Sequence, residues 1–97
     1  MLAIDFGPDG VVVVAGRLDA AQAPKAQSFL DGVEGVVTLD CSRLEYISSA
    51  GLGALLKTQK RLLASAGRLR LVGVSRHLQD IFIYSGFDQI FEIEPAR

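Results

Sequence analysis

The spacing of apolar and polar positions changes several times along the 97-residue chain, and each change predicts an element. Leu2-Ala3-Ile4-Asp5-Phe6 is a short apolar run halted by Gly7-Pro8-Asp9-Gly10, a strong turn signal. Val11 to Ala15 is continuous and β-branched, which predicts a strand buried on both faces. The two runs are expected to pair as an antiparallel hairpin. After Gly16-Arg17-Leu18-Asp19, the residues Ala23, Ala26, Phe29, Leu30 and Val33 recur at helical spacing, with Lys25, Gln27, Ser28 and Asp31 on the other side. Pro24 is tolerated only in a first turn, so this helix is placed from Ala21 or Gln22 to about Gly32.

Val36-Val37-Thr38-Leu39 predicts the next buried strand, followed by a short loop leading to Ser48. The helix after Ser48 carries Leu52, Leu55, Leu56, Leu62, Leu63 and Ala66 as its apolar stripe, and Gly67 is placed to end it. Arg68 to Val74 alternates and then runs apolar, as a strand entering a sheet does. Ser75 reads as the N-cap of a short helix bearing Leu78, Ile81 and Phe82 and stopped by Gly86. Gln89-Ile90-Phe91-Glu92-Ile93 alternates as a final, half-exposed strand. The order β-β-α-β-α-β-α-β predicts an α/β fold: a mixed sheet of about five strands with parallel crossovers, in a single domain over residues 1–97.

Composition narrows the function classes. Hydrophobic content is 49 % and charged content 22 %, as in soluble globular chains. A net charge of −1 gives no global attraction to nucleic acid or to a membrane surface. No apolar run approaches the roughly 20 residues of a membrane helix, and the N-terminus lacks the pattern of a signal peptide. With the single Cys41, no internal disulfide forms, and a reducing cytoplasm is the expected compartment. Cys41 itself reads as a small core or loop-edge residue. His77, the only histidine, has no cysteine or carboxylate partners at zinc spacing, so no metal or cofactor is expected. No Gly-x-Ser-x-Gly elbow surrounds Ser48 or Ser49, and no general base is in sight for either, which argues against an enzyme.

The candidate chemistry lies in Ser48-Ser49-Ala50-Gly51-Leu52-Gly53, at the mouth of the second helix. A serine there either caps free backbone N–H groups or stands exposed as a phosphate acceptor, where the helix dipole tolerates new negative charge. With two serines one can cap while the other points outward, and the residues alone leave both roles open. Ser49, Gly53, Lys57 and Lys60 share a helix face away from the leucines. Gly53, costly inside a helix, either uncovers the Ser49 hydroxyl or permits tight internal packing. Lys57, Lys60 and Arg61 extend the face as a modest basic patch, suited to an acidic partner region if Ser49 is functional.

Leu39 to Leu56 closely resembles the signature of the STAS domain family, whose name joins sulfate transporters and anti-sigma factor antagonists. The elements that carry the resemblance are Asp40-Cys41-Ser42, Tyr46-Ile47, Ser48-Ser49-Ala50 and Gly51-Leu52-Gly53. Gly16-Arg17-Leu18-Asp19 and Ser85-Gly86-Phe87 are similar to two shorter family steps, so nearly the whole chain is covered. Without a membrane region, the chain resembles the stand-alone bacterial anti-sigma factor antagonists of partner-switching pathways. The resemblance implies a cytoplasmic, non-enzymatic phosphoprotein in transcription regulation. Unphosphorylated, it would bind a serine-kinase anti-sigma factor; phosphorylation of Ser49 would release it, and a serine phosphatase would reset it. Ser48, Ser49, Gly51, Gly53, Lys57, Lys60 and Asp19 are the implied partner-binding residues.

This chain departs from the family at one point. Many members carry an acid just before the acceptor and Ser or Thr just after it; here those places hold Ser48 and Ala50. Ser48 is therefore the competing acceptor. The alternative implied by the resemblance is a STAS scaffold subunit that is not phosphorylated, within a larger complex such as a lipid-transport ATPase. Neither reading requires nucleic acid or membrane contact, and a monomer is the expected state.

Overall fold

The computed structural model describes residues 1–96. Its elements run β1 (Leu2–Phe6), a 3-10 turn (Pro8–Gly10), β2 (Val12–Leu18), α1 (Ala23–Leu30), β3 (Val36–Ile47), α2 (Ser49–Ala64), β4 (Arg68–Val74), α3 (Arg76–Ser85), a second 3-10 turn (Phe87–Gln89) and β5 (Glu92–Pro95). The strands form one sheet in sequence order, β1-β2-β3-β4-β5. β1 and β2 make the antiparallel hairpin expected, with Asp9 in the left-handed region at its turn. The other three pairings are parallel, each joined through a helix. Right-handed crossovers that always step to the next strand put every helix on the same side of the sheet.

Burial follows from that arrangement. Val12 and Val14 of β2, Val37, Leu39 and Cys41 of β3, and Leu69 and Leu71 of β4 point into one core with Ala26, Leu30, Leu52, Leu55, Leu62, Leu78 and Phe82 from the helices. The alternate positions Val13, Ala15, Thr38, Asp40, Arg70 and Val72 are only half-buried. The expectation that Val11 to Ala15 is buried on both faces is thus corrected: the sheet is covered on one side only.

Several boundaries differ from the sequence reading. β3 does not stop at Leu39 but continues to Ile47, because its second half pairs with β2 through Arg43, Leu44, Tyr46 and Ile47. No loop intervenes before Ser48. α1 begins at Ala23, and it ends at Leu30 rather than near Gly32. In α2, Leu52, Leu55 and Leu62 are buried, Leu56 is half-buried and Leu63 is exposed, and Ala66, also exposed, lies beyond the helix end. The left-handed residue after α2 is Ala66, not Gly67; Gly67 is required because a side chain there would strike the Gly35 carbonyl. The last strand starts at Glu92 instead of Gln89. The chain first turns through Phe87–Gln89 so that Phe91 packs edge-on to Phe82, ring centroids 6.0 Å apart. α3 is as expected, with the Ser75 hydroxyl accepting from the Leu78 N–H and Gly86 left-handed at its end.

Candidate functional site at the start of the second helix

The parallel strands end side by side, which brings the Leu18–Gln22 connection against the start of α2. Ser48 is locked there by three contacts. Its N–H donates to the Leu18 carbonyl at 2.9 Å, its carbonyl accepts from the Leu52 N–H at 2.8 Å, and its Oγ accepts from the Gly51 N–H at 3.2 Å. With φ −92° and ψ 173° it is the extended N-cap of a 16-residue helix. Ser48 is half-buried in this role. An N-cap serine satisfies one of the free N–H groups of a helix start and stabilises it by about 1 kcal/mol.

Ser49 is the first helical residue and is exposed, and among the described residues its hydroxyl has no hydrogen-bond partner. Gly53, Lys57 and Lys60 are exposed as well, so the row read from helical spacing exists as one open surface strip. A Cβ placed on Gly53 would meet nothing within 4 Å. Of the two readings of Gly53, internal packing is therefore excluded; it leaves the ground beside Ser49 bare.

Three of the sequence-predicted site residues have other duties. Gly51 is buried, and a Cβ there would come within 2.7 Å of both the Leu18 carbonyl oxygen and Leu18 Cγ. It lets α2 seat on the strand ends and offers no contact surface of its own. Asp19 is half-buried, and its Oδ1 accepts from the Gln22 N–H at 3.0 Å, shaping the entry to α1. Arg61 leaves the basic patch altogether. Its guanidinium reaches back to the C-terminal end of α1, donating to the carbonyls of Leu30 at 2.9 Å and Val33 at 2.6 Å and pairing with Glu34 at 3.1 Å. Open α1 carbonyls attract a cation, as helix C-termini do. The free basic strip is Lys57 and Lys60.

Residues missed by the sequence reading frame the other side of the site. The Arg17 guanidinium lies 4.3 Å from the centroid of the Tyr46 ring, a cation–π contact between registered neighbours on β2 and β3. A side chain on Gly16, at φ +94°, would strike the Met1 carbonyl, so the glycine brings the chain start against β2. Only the register, invisible in sequence, reveals both. Cys41 is buried among core side chains, and burial, aided by the Asp40 carboxylate, pushes its thiol up to about 12. A thiol so held is inert as a nucleophile. His77 is exposed on α3, and the described residues include no cluster able to hold a metal ion.

The comparisons with known proteins give the family and the fold. The family model described as "Mlab, STAS domain" matches residues 3–93. BtrV of Bordetella bronchiseptica, provisionally named an anti-sigma factor antagonist, is 36% identical over 95 residues, covering 92% of this chain and 82% of the relative. The anti-sigma-B factor antagonist of Listeria monocytogenes is 34% identical over 90 residues, covering 89% of this chain and 79% of that protein. In fold, the chain is similar to the Bacillus cell fate determinant SpoIIAA in its phosphorylated form. The TM-score is 0.68 at 22% identity, over 96% of this chain and 90% of that one.

Proposed function

The chain belongs to the STAS domain family, and on that premise we propose that it is an anti-sigma factor antagonist whose switch is the Ser49 hydroxyl. The observation that carries this reading is the division between the two serines. Ser48 is engaged through N–H, carbonyl and Oγ, whereas Ser49 is exposed and unbonded at the first turn of α2. In this reading Ser49, Gly53, Lys57 and Lys60 dock on a serine-kinase anti-sigma factor, with Ser48 and Gly51 holding the helix start and Asp19 the neighbouring loop. The Ser49 oxygen attacks the γ-phosphorus of ATP bound by that kinase, its proton leaves, and ADP departs. A serine phosphatase hydrolyses the ester and restores the docking surface. The chain is then a substrate and binding partner in the cytoplasm, with no catalytic role, cofactor, nucleic-acid contact or membrane contact of its own.

The physical basis of the switch is local. A phosphate adds about −1.5 to −2 charges at pH 7. At a helix N-terminus the dipole favours that charge by about 0.3–1 kcal/mol, so α2 stays intact. Release follows from bulk and repulsion at a surface built to receive an acidic partner. The second reading, a scaffold subunit that is never phosphorylated, draws on Ser48 standing where many relatives place an acid.

One experiment separates the two. Wild type, Ser49→Ala and Ser48→Ala are incubated with ATP and the cognate kinase, and intact mass is read. A phosphate on wild type and Ser48→Ala but absent from Ser49→Ala is expected. An unmodified wild type that still binds its partner overturns the switch in favour of the scaffold.

A further inference from the structure

β1 is an edge strand, and its antiparallel register fixes which backbone groups have no strand beside them. The Arg17 N–H donates to the Met1 carbonyl at 3.0 Å and the Gly7 N–H to the Val11 carbonyl at 2.6 Å, so the odd-numbered residues of β1 bond to β2. Leu2, Ile4 and Phe6 therefore turn their N–H and C=O groups outward. Two of these groups are occupied from within the chain. The Leu2 carbonyl accepts from Lys25 Nζ at 2.7 Å, and the Phe6 N–H donates to Asp5 Oδ1 at 2.8 Å. The Leu2 N–H, both groups of Ile4 and the Phe6 carbonyl have no partner among the described residues.

The free set is self-complementary in one register. When a second β1 lies antiparallel with Ile4 opposite Ile4, the two isoleucines exchange N–H···O=C bonds, and each Leu2 N–H meets the Phe6 carbonyl of the other copy. The occupied Leu2 carbonyl and Phe6 N–H then also fall opposite each other, which brings Lys25 of one copy to Asp5 of the other. A shift of two residues either way sets free groups against occupied ones or against none. Exposed edges are commonly guarded by charge; here the two guards are of opposite sign and stand where they pair. The side chains agree with the register. Leu2, Ile4 and Phe6 share the core face of the sheet, where Leu2 is buried, Ile4 half-buried and Phe6 60% exposed against Phe29 of α1, ring centroids 5.1 Å apart. The opposite edge offers no such match, because Pro95 of β5 has no N–H and the Ala96 N–H is spent on the Val74 carbonyl at 2.9 Å.

We propose that β1 pairs with β1 of a second copy of this chain about a two-fold axis at Ile4, joining two five-stranded sheets into one. The symmetric pair stands in place of the monomer expected from the sequence. It goes beyond the switch at Ser49 and does not draw on it. α1 lies between this edge and α2: its Lys25 and Phe29 meet β1, while the Leu30 carbonyl at its end meets Arg61 of α2. A five-residue strand makes a small interface, so the pairing belongs to the weak, concentration-dependent class.

Sedimentation velocity on the unmodified chain, with neither kinase nor ATP present, tests this independently of whether Ser49 is modified. The expected result is a shift from monomer toward dimer between micromolar and millimolar concentration, with hydrogen exchange at the Leu2 and Ile4 amides slowing over the same range. Ile4→Pro removes an outward donor that the single copy does not use, and should abolish the dimer. Asp5→Lys and Lys25→Asp should each weaken dimerisation about tenfold, since the symmetry places the pair twice, and the double swap should restore it. Thermal melts report whether each variant folds; if Ile4→Pro does not, the charge swap decides. A chain that stays monomeric to millimolar concentration, a dimer indifferent to Ile4→Pro, or charge reversals that the double swap does not rescue overturns the proposal. Slowed exchange confined to β5 or α2 does so as well.

Discussion

At the residue scale, Gly51 and Gly53 lie one turn into the same helix, and a methyl group acts oppositely on them. At Gly53 it enters open space, so Gly53→Ala should stabilise the fold by about 0.5–1 kcal/mol through lower backbone entropy in the unfolded chain. At Gly51 it meets Leu18 and, at 2.9 Å, Ile47 Cγ1, so Gly51→Ala should cost about 1–3 kcal/mol. Urea midpoints at unchanged slope measure both; destabilisation by Gly53→Ala would contradict the bare helix face. Cys41 supplies a second test. Its thiol, ordinarily at 9.0, is raised to about 12 in the fold. The raised group contributes stability fully below pH 9 and loses it as pH climbs toward 12. Iodoacetamide at pH 8 should leave the native mass unchanged and add one adduct only in denaturant. That one serine of the pair caps α2 was legible in sequence because the rule is local; that it is Ser48 follows from the Gly51 N–H it accepts. The fate of Arg61 was not, since its acceptors lie at the end of another helix.

Elements were legible where their signals were local and lost where pairing decided. The hairpin, α1, the start of α2 and α3 follow from turn residues, caps and helical spacing close in sequence. β3 outran its prediction because Arg43 to Ile47, polar and mixed, is held extended by β2 rather than by its own pattern. β5 slipped three residues because Phe91 is drawn into the core beside Phe82. Gln59 shows the same non-local control. Buried in α2, its Oε1 accepts from the Leu69 N–H at 2.7 Å and its Nε2 donates to the Ile90 carbonyl at 2.8 Å. The side chain pins β4 and the turn before β5 to the helix. Gln59→Ala leaves the Leu69 N–H unpaired in the core, at a cost of about 1–3 kcal/mol. Hydrogen exchange at Leu69 and through Phe87 to Ile93 should quicken more than at β1 and β2; uniform quickening would show that Gln59 serves general packing alone.

For the molecule as a whole, the mixed sheet with its parallel crossovers was legible in the alternation of strands and helices, whereas the strand order and the bare sheet face were not. A β-branched run such as Val11 to Ala15 looks the same whether one side or both are covered. The whole-molecule view also separates stability from association. Net charge is −1, and the helix start at Ser49 already presents a partial positive charge through its free N–H groups. A carboxylate introduced by Ser49→Asp should be welcomed by that dipole, raising Tm by a few degrees, in line with about 0.3–1 kcal/mol. In the complex proposed above, the same carboxylate should weaken docking of the anti-sigma factor by at least tenfold, because it puts negative charge and bulk where Gly53 leaves room and where Lys57 and Lys60 would face an acidic surface. Thermal melts and titration calorimetry on one preparation read both quantities. A fall in Tm with the loss of binding would mean that the modification acts by disturbing the fold. A rise in Tm with binding intact would take Ser49 out of the interface.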